Sequence, residues 1–245
     1  MGYSQVCYAA RSIWYTVFRS HIRTATKLRY GTKYSSPLYP FKVINVDPKS
    51  ITKRPKIKPK VNRLVRTGVV GGDWDQETIP LENTGYFYES MMRRYKEGVK
   101  WENTKYYEDS VERIKQGESR RDVNSVLEFK NSLENLDDIF DDIKINGYKS
   151  QLELDSIRDN MSPFFSEKEL KYPPEFREVT VDISREGELL WNDGQHRLYI
   201  AKILDLDQIP IRIRVRHEKW QHVRDQAFKK NSLPNQVPKN HPDII

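Results

Sequence analysis

The chain has 245 residues, longer than a typical single domain, yet 37% are apolar and 31% charged, so one compact domain with appended segments is expected. Its single cysteine, Cys7, excludes an intramolecular disulfide and a cysteine-only metal cage, while the lack of a secretory signal or of an apolar run near the roughly 18 residues that span a bilayer predicts a cytoplasmic protein. Net charge is +7, unevenly spread: residues 1–70 hold 15 Lys and Arg against one acid, Asp47, and the remainder holds 27 against 34, which reads as a basic arm on a mildly acidic body.

From Ser4 to Arg29 there is no Pro or Gly, and Cys7, Ala10, Ile13, Trp14, Val17 and Phe18 recur at helical spacing among arginines. The spacing predicts an amphipathic helix whose apolar face, Ile13, Trp14, Val17 and Phe18, either lies in a lipid headgroup layer or docks on its own domain. A polyanion suits its charge, as nucleic acid or as an anionic membrane surface. Tyr30-Gly31 ends the helix, and Ser35-Ser36-Pro37 with Pro40 makes a linker, so residues 1–40 form the arm.

Residues 41–220 are expected to form the domain proper. Phe41 to Val46 reads as a strand stopped by Asp47-Pro48, and Pro55 and Pro59 among many cations keep Lys49 to Arg66 extended. A Val69-Val70 run precedes Gly71-Gly72-Asp73-Trp74-Asp75, where two carboxylates flank one large ring. That stretch is either a metal or nucleotide-base site or a tight turn pinned by a buried Trp. Residues of about 76–132 are a helical insertion with aromatic punctuation. Leu136, Ile139, Phe140 and Ile143 predict a further helix ended by Asn146-Gly147. Its Asp137, Asp138, Asp141 and Asp142 form either a metal cluster or a solvated face.

Val179, Val181 and Ile183 alternate with polar residues, Arg185 to Glu188 is a turn, and Leu189-Leu190-Trp191 begins a return strand. After Asn192-Asp193-Gly194 a helix packs through Leu198 and Ala201. Ile209 to Val215 then alternates with Arg212, Arg214 and Arg216, which predicts a strand with one buried face and one face of guanidinium groups. Residues 221–245 are a helix and a Pro-rich tail. In that tail His241-Pro242-Asp243 either folds back as a lid or stays disordered, the expected state of a terminus.

Gly194 at a strand-to-helix turn lets a ligand approach the backbone, and the N–H groups that follow stand at a positive helix end suited to phosphate. Gln195, His196 and Arg197 complete the turn, and Arg216 and His217 are expected to extend it on the neighbouring strand. Asp193 either holds Mg²⁺ against the phosphate or caps the helix.

Asp193-Gly194-Gln195-His196-Arg197, followed by Leu198, Ala201-Lys202, Leu206 and Ile209-Pro210-Ile211, resembles the ParB/sulfiredoxin-like superfamily. Val43 to Ile51 is similar to its opening strand, and Leu136 through Lys149 to one of its helices. The resemblance implies an α+β fold, a mixed sheet with flanking helices, here with an inserted helical segment and an N-terminal basic amphipathic helix. It also implies a bound nucleotide (ATP, ADP or CTP) with Mg²⁺. Sulfiredoxin chemistry is excluded because no cysteine stands in the turn. The likeness to the free-serine kinases is closer and implies a Mg-dependent kinase or NTPase acting on a small or lipid-linked acceptor, with Asp47, Asp73 or Asp75 as base. Two alternatives remain: a nonspecific DNA-binding or nuclease-like protein, and a peripheral membrane protein acting in recruitment.

Overall fold

In a computed structural model the described residues are 3–62, 64–118, 123–157, 172–230 and 241–244, with side chains described from residue 10 onward. Among them an open mixed sheet of seven strands is flanked by seven α-helices, an α+β architecture. Strands β1 (Val43–Val46), β2 (Lys53–Pro55), β3 (Gly68–Val70) and β4 (Thr78–Pro80) come from the first third of the chain. Strands β5 (Val179–Ile183), β6 (Leu189–Asp193) and β7 (Ile209–His217) come from the last. Helix α1 (Tyr3–Tyr30) precedes the sheet, α2 (Phe87–Glu97), α3 (Lys105–Lys115), α4 (Val126–Asn146) and α5 (Gln151–Ile157) lie between β4 and β5, and α6 (Gln195–Ile203) and α7 (Glu218–Lys230) follow β6 and β7.

The strand order is β1-β7-β5-β6-β2-β4, with β3 also on β7. One edge of β7 lies parallel to β5. Its other edge is shared, Val46↔Ile209 to Val43↔Arg212 with antiparallel β1, then Gly68↔Val215 to Val70↔His217 with parallel β3. Alternation in β5 and β7 puts Val179, Val181, Ile183, Ile209, Ile211 and Ile213 into one core with Leu198 and Ala201 of α6. The opposite face carries Thr180, Asp182, Arg212, Arg214 and Arg216, as the alternation requires. It is not an open guanidinium surface, however: Thr180, Asp182, Arg212 and Arg216 are all buried. Arg214 donates to both Asp182 oxygens at 2.9 and 2.6 Å, and Arg212 lies over the Phe176 ring at 4.1 Å.

Helix α4 starts earlier than Leu136 to Ile143 predicts. Ser125 Oγ accepts the Glu128 N–H, and Glu128 reaches back to the Asn124 N–H, which satisfies two donors at the helix start. The buried stripe is Phe129, Leu133, Leu136, Phe140 and Ile143, spaced four, three, four and three, with Ile139 at its margin. Asp137 on this helix is no metal ligand. It accepts from Arg94 at 3.3 and 2.7 Å and from Trp101 Nε1 at 2.9 Å. No cluster of metal-binding side chains occurs among the described residues.

Helix α1 docks on the body through Tyr15, Phe18, Ile22 and Thr26, the stripe that helical periodicity places together. Phe18 meets Tyr172 and Phe176 edge-on, and Arg19 makes a two-pronged ion pair with Glu175, both bonds 3.0 Å. Phe18 therefore belongs to the docked side and not, as the sequence grouping has it, to the same face as Ile13 and Val17, which are exposed. Further along the chain, Lys33 pairs with Glu218, Lys49 with Asp205, Lys53 with Glu188 and Lys56 with Glu77. Much of the basic first third thus meets the acidic remainder within the molecule. Among the described residues no helix is long and apolar enough to cross a membrane.

The end of the chain corrects the expectation of disorder. His241 and Asp243 are buried, His241 Nε2 hydrogen-bonds the Gly187 carbonyl at 2.8 Å, and the His241 ring lies 4.4 Å from that of Trp220.

Candidate functional site

β6 ends in an exposed Asp193, and Gly194 turns the chain into α6 with φ +83°. A Cβ at this glycine would stand 2.8 Å from Val179 Cα, so both the left-handed backbone and the close approach to β5 demand glycine. The first bond of α6 runs from the Leu198 N–H to the Gly194 carbonyl, and the first turn, Gln195-His196-Arg197, holds no acid. Such a helix end favours a negative group. Asp193 Oδ1 accepts the Gly194 N–H at 2.8 Å, which holds the carboxylate against the turn. Lys58, from the extended segment after β2, donates to the Asn192 carbonyl at 2.5 Å and lies 5.5 Å from the Trp191 ring. Desolvation lowers the pKa of Lys58, while Asp193 pulls the other way. Nothing local in the sequence marks this lysine, one cation among many, as the one beside the turn.

Arg197 faces away from that opening. It donates to Glu178 Oε2 at 3.3 Å and to the Lys149 carbonyl, and its guanidinium lies 4.2 Å from the Tyr148 ring centroid. Glu178 also accepts the Gln151 N–H at 2.5 Å. One arginine thus ties the start of α6 to β5 and to the α4–α5 connection. The Tyr148 hydroxyl and Gln151 Oε1 are buried in the same place with no partner among the described residues. Burial pushes the Glu178 carboxyl up to about 7, against the pull of Arg197.

A raised carboxyl pKa stabilises the fold when protonated. Between the unfolded value and the folded one the native state binds more protons, so stability falls as pH rises through this window and levels off above about 7. Relative to Glu178→Gln, the native protein is expected to lose about 3 kcal/mol of unfolding free energy between pH 4.5 and 7. Urea melts of both proteins at half-unit steps measure it, and parallel stability curves would refute the assignment.

The register divides the other predicted residues. Thr180 pairs with Asp193, whereas Ile183 pairs with Arg216, so Arg216 and His217 stand near the opposite end of β5 from the Gly194 turn, roughly 10 Å away at the rise of a strand. They do not extend it. Arg216 donates to Asp243 with Nε (2.8 Å) and Nη2 (2.5 Å). His217 Nδ1 accepts the Lys219 N–H at 3.1 Å, so its Nε2 carries the proton donated to the Gly72 carbonyl at 2.8 Å. Asp73 and Asp75 are at this end too. Arg185 Nη2 donates to Asp73 at 2.8 Å and to Asp75 at 2.7 Å, and the Arg185 backbone N–H reaches Asp75 at 2.7 Å. Trp74 Nε1 donates to the Val70 carbonyl at 3.1 Å. The glycine-rich stretch is therefore a turn held by Arg185, and neither acid is placed to act as a base at Gly194.

Asp47 differs. Val46 pairs with Ile209 at the start of β7, the end of the sheet that also holds Gly194, and the short 3₁₀ turn that Asp47 caps packs on α6. Asp47 accepts the Lys49 N–H at 2.8 Å and, with Glu82, raises the pKa of Lys202 against the larger effect of desolvation. Gln195, Tyr199 and Lys202 form one stripe of α6 toward these acids, with Gln195 Nε2 donating to the Tyr199 hydroxyl and that hydroxyl 3.2 Å from Thr84 Oγ1.

No family model, curated protein or solved structure matches this chain. Its functional assignment therefore rests on the geometry of this end of the sheet.

Proposed function

We propose that the chain is a ParB/sulfiredoxin-like domain that binds the phosphates of a nucleotide at the Asp193–Arg197 turn and carries out Mg-dependent phosphoryl transfer. The observation that carries this reading is the strand–glycine–helix turn itself: Gly194 at φ +83° against Val179 opens a helix whose first turn holds no acid, with Lys58 and the Asp193 carboxylate beside it. Resemblance of the Gly194-Gln195-His196-Arg197 stretch to the family's phosphate turn supports it. Backbone N–H groups at the start of α6 and the Lys58 ammonium supply donors, joined in this reading by a ring nitrogen of His196, whose ring lies 5.2 Å from that of Phe87 on α2. Arg197 acts as a positioning residue, since its guanidinium holds Glu178 and the Lys149 carbonyl.

The exposed carboxylate of Asp193 fits Mg²⁺, a hard cation that keeps several waters and needs only one or two protein oxygens beside phosphate. Bound there, the ion would neutralise charge on the phosphates. Of the three acids Asp47 alone is at this end of the sheet, on the β1 side and near Lys202 in the last turn of α6, and in this reading it is the base for an acceptor hydroxyl. Asp73 and Asp75 have no part in this chemistry. The nucleic-acid alternative is weaker, because Arg214 and Arg216 are held by Asp182 and Asp243, Arg212 lies over Phe176, and Arg19, Lys33, Lys49, Lys53 and Lys56 pair with acids of the body.

Titration calorimetry with MgATP, MgADP and MgCTP tests the proposal. At least one nucleotide is expected to bind, and Lys58→Ala and His196→Ala are each expected to weaken it about tenfold, the loss of one charge-assisted hydrogen bond. Arg197→Ala is the poorer probe, because it strands Glu178. Absence of binding by all three nucleotides, or affinity unchanged in both variants, would overturn the reading.

A further inference from the structure

Helix α1 has a second apolar stripe that its docking leaves largely exposed, with the Trp14 ring at its margin 5.9 Å from that of docked Phe18. Ile13 is 66% exposed, Trp14 46%, Val17 55% and Leu28 79%. Positions 14, 17, 21, 24 and 28 advance by three and four, so these residues line one side of the helix with exposed His21 and Thr24 between them. The opposite side, Tyr15, Phe18, Ile22 and Thr26, is buried, and Arg19–Glu175 locks the helix against rotation. The outward stripe is thus held in a fixed orientation.

Charge decides what it fits. Between Tyr3 and Tyr30 there is no acidic residue, while Arg23, Lys27 and Arg29 are exposed and Lys27 flanks the apolar stripe on its Ile13 side. A second copy of this helix would set these cations against their own equivalents. A nucleic-acid backbone would meet the cations but would give Ile13, Val17 and Leu28 nothing apolar to enter. An anionic bilayer accepts both, acyl chains under the apolar side chains and headgroup phosphates beside the cations.

We propose that the exposed Ile13–Leu28 face of α1 seats this protein on the surface of an anionic lipid bilayer, lying in the plane of the headgroups without crossing it. The docked face keeps the domain attached to the helix, so the Gly194 turn is carried to the membrane with it. The proposal stands independently of the nucleotide site.

Co-sedimentation with vesicles of phosphatidylcholine alone, and of phosphatidylcholine with about 30% phosphatidylserine, provides the test. The full chain is expected to sediment with the mixed vesicles and not with the neutral ones, less so as salt is raised. Ile13→Glu with Val17→Glu should lower the partition more than tenfold, whereas Leu127→Glu, an exposed position on α4, should leave it unchanged. Both substituted residues of the double variant are exposed, and an unchanged urea midpoint shows that it folds. Failure to bind mixed vesicles, equal binding to neutral ones, or full binding by the double variant would overturn the proposal. So would a native dimer in sedimentation velocity that the double variant dissolves, or DNA binding that it abolishes, since the face would then serve a second copy or nucleic acid.

Discussion

Asp243→Ala is expected to destabilise the fold by about 3–5 kcal/mol, the cost of leaving buried charges without their counter-ion. Asp243 is buried near the end of the chain, where Arg216 Nε and Nη2, Arg224 Nε and Trp220 Nε1 converge on its carboxylate. Burial alone would raise its pKa, but the two guanidinium groups outweigh that and hold it below the usual carboxylate range. Without the carboxylate, Arg216 and Arg224 lose their shared counter-ion in a place water does not reach. Burial already pushes Arg224 down to about 10, so loss of Asp243 removes the group that opposes that push. The urea midpoint should fall sharply, while Asp207→Ala, at an exposed carboxylate, should leave it in place. A loss under about 1 kcal/mol for Asp243→Ala would mean that the last residues are not integral to the fold.

Gly194→Ala is expected to cost about 2–4 kcal/mol, from a left-handed backbone conformation that L-residues resist and a methyl group forced against β5. The new Cβ would sit 2.8 Å from Val179 Cα and 3.2 Å from Val179 Cγ2, so a backbone rather than a flexible side chain has to move. That displacement falls on the start of α6, and the variant should lose nucleotide binding even at temperatures where it remains folded. Gly72→Ala is the comparison: that glycine also has positive φ, +84°, but no atom lies within 4 Å of the added methyl. Only the backbone strain, about 1 kcal/mol, is expected there, with nucleotide binding retained. Equal losses at the two sites, read from thermal melts and calorimetry, would count against the close packing of the turn on Val179.

What was legible in the sequence follows from local physics. Alternation of Ile and Arg in residues 209–216 requires a strand with two unlike faces, and Asp193-Gly194 before Leu198 and Ala201 requires a strand-to-helix turn. The helix at the start was equally plain, because a run without Pro or Gly carries its own periodicity. Positions up to about 132 read as part of the helical insertion, separate from the helix of Leu136 to Ile143, and the two are one helix. Only the packed partners show that Phe129 and Leu133 continue the stripe of Leu136 and Phe140.

The sequence alone thus determined β1, β5, β6 and β7, the turn and the charge asymmetry, since each depends on neighbours within a few residues. By contrast, β2 and β4 pair within stretches that read as an extended basic segment and the start of a helical insertion. Only the tertiary structure decided which charges are used up internally and which residues share an end of the sheet. Arg197, Arg214 and Arg216 looked alike as donors until Glu178, Asp182 and Asp243, distant in sequence, were brought against them. Asp47, Asp73 and Asp75 looked alike as bases until the register of β7 set Asp47 at the Gly194 end and Arg185 drew the other two to the far end. These strand and ion pairings join residues from 19 positions apart, as in Arg197 and Glu178, to 163, as in Val46 and Ile209, and composition and spacing carry no record of such encounters.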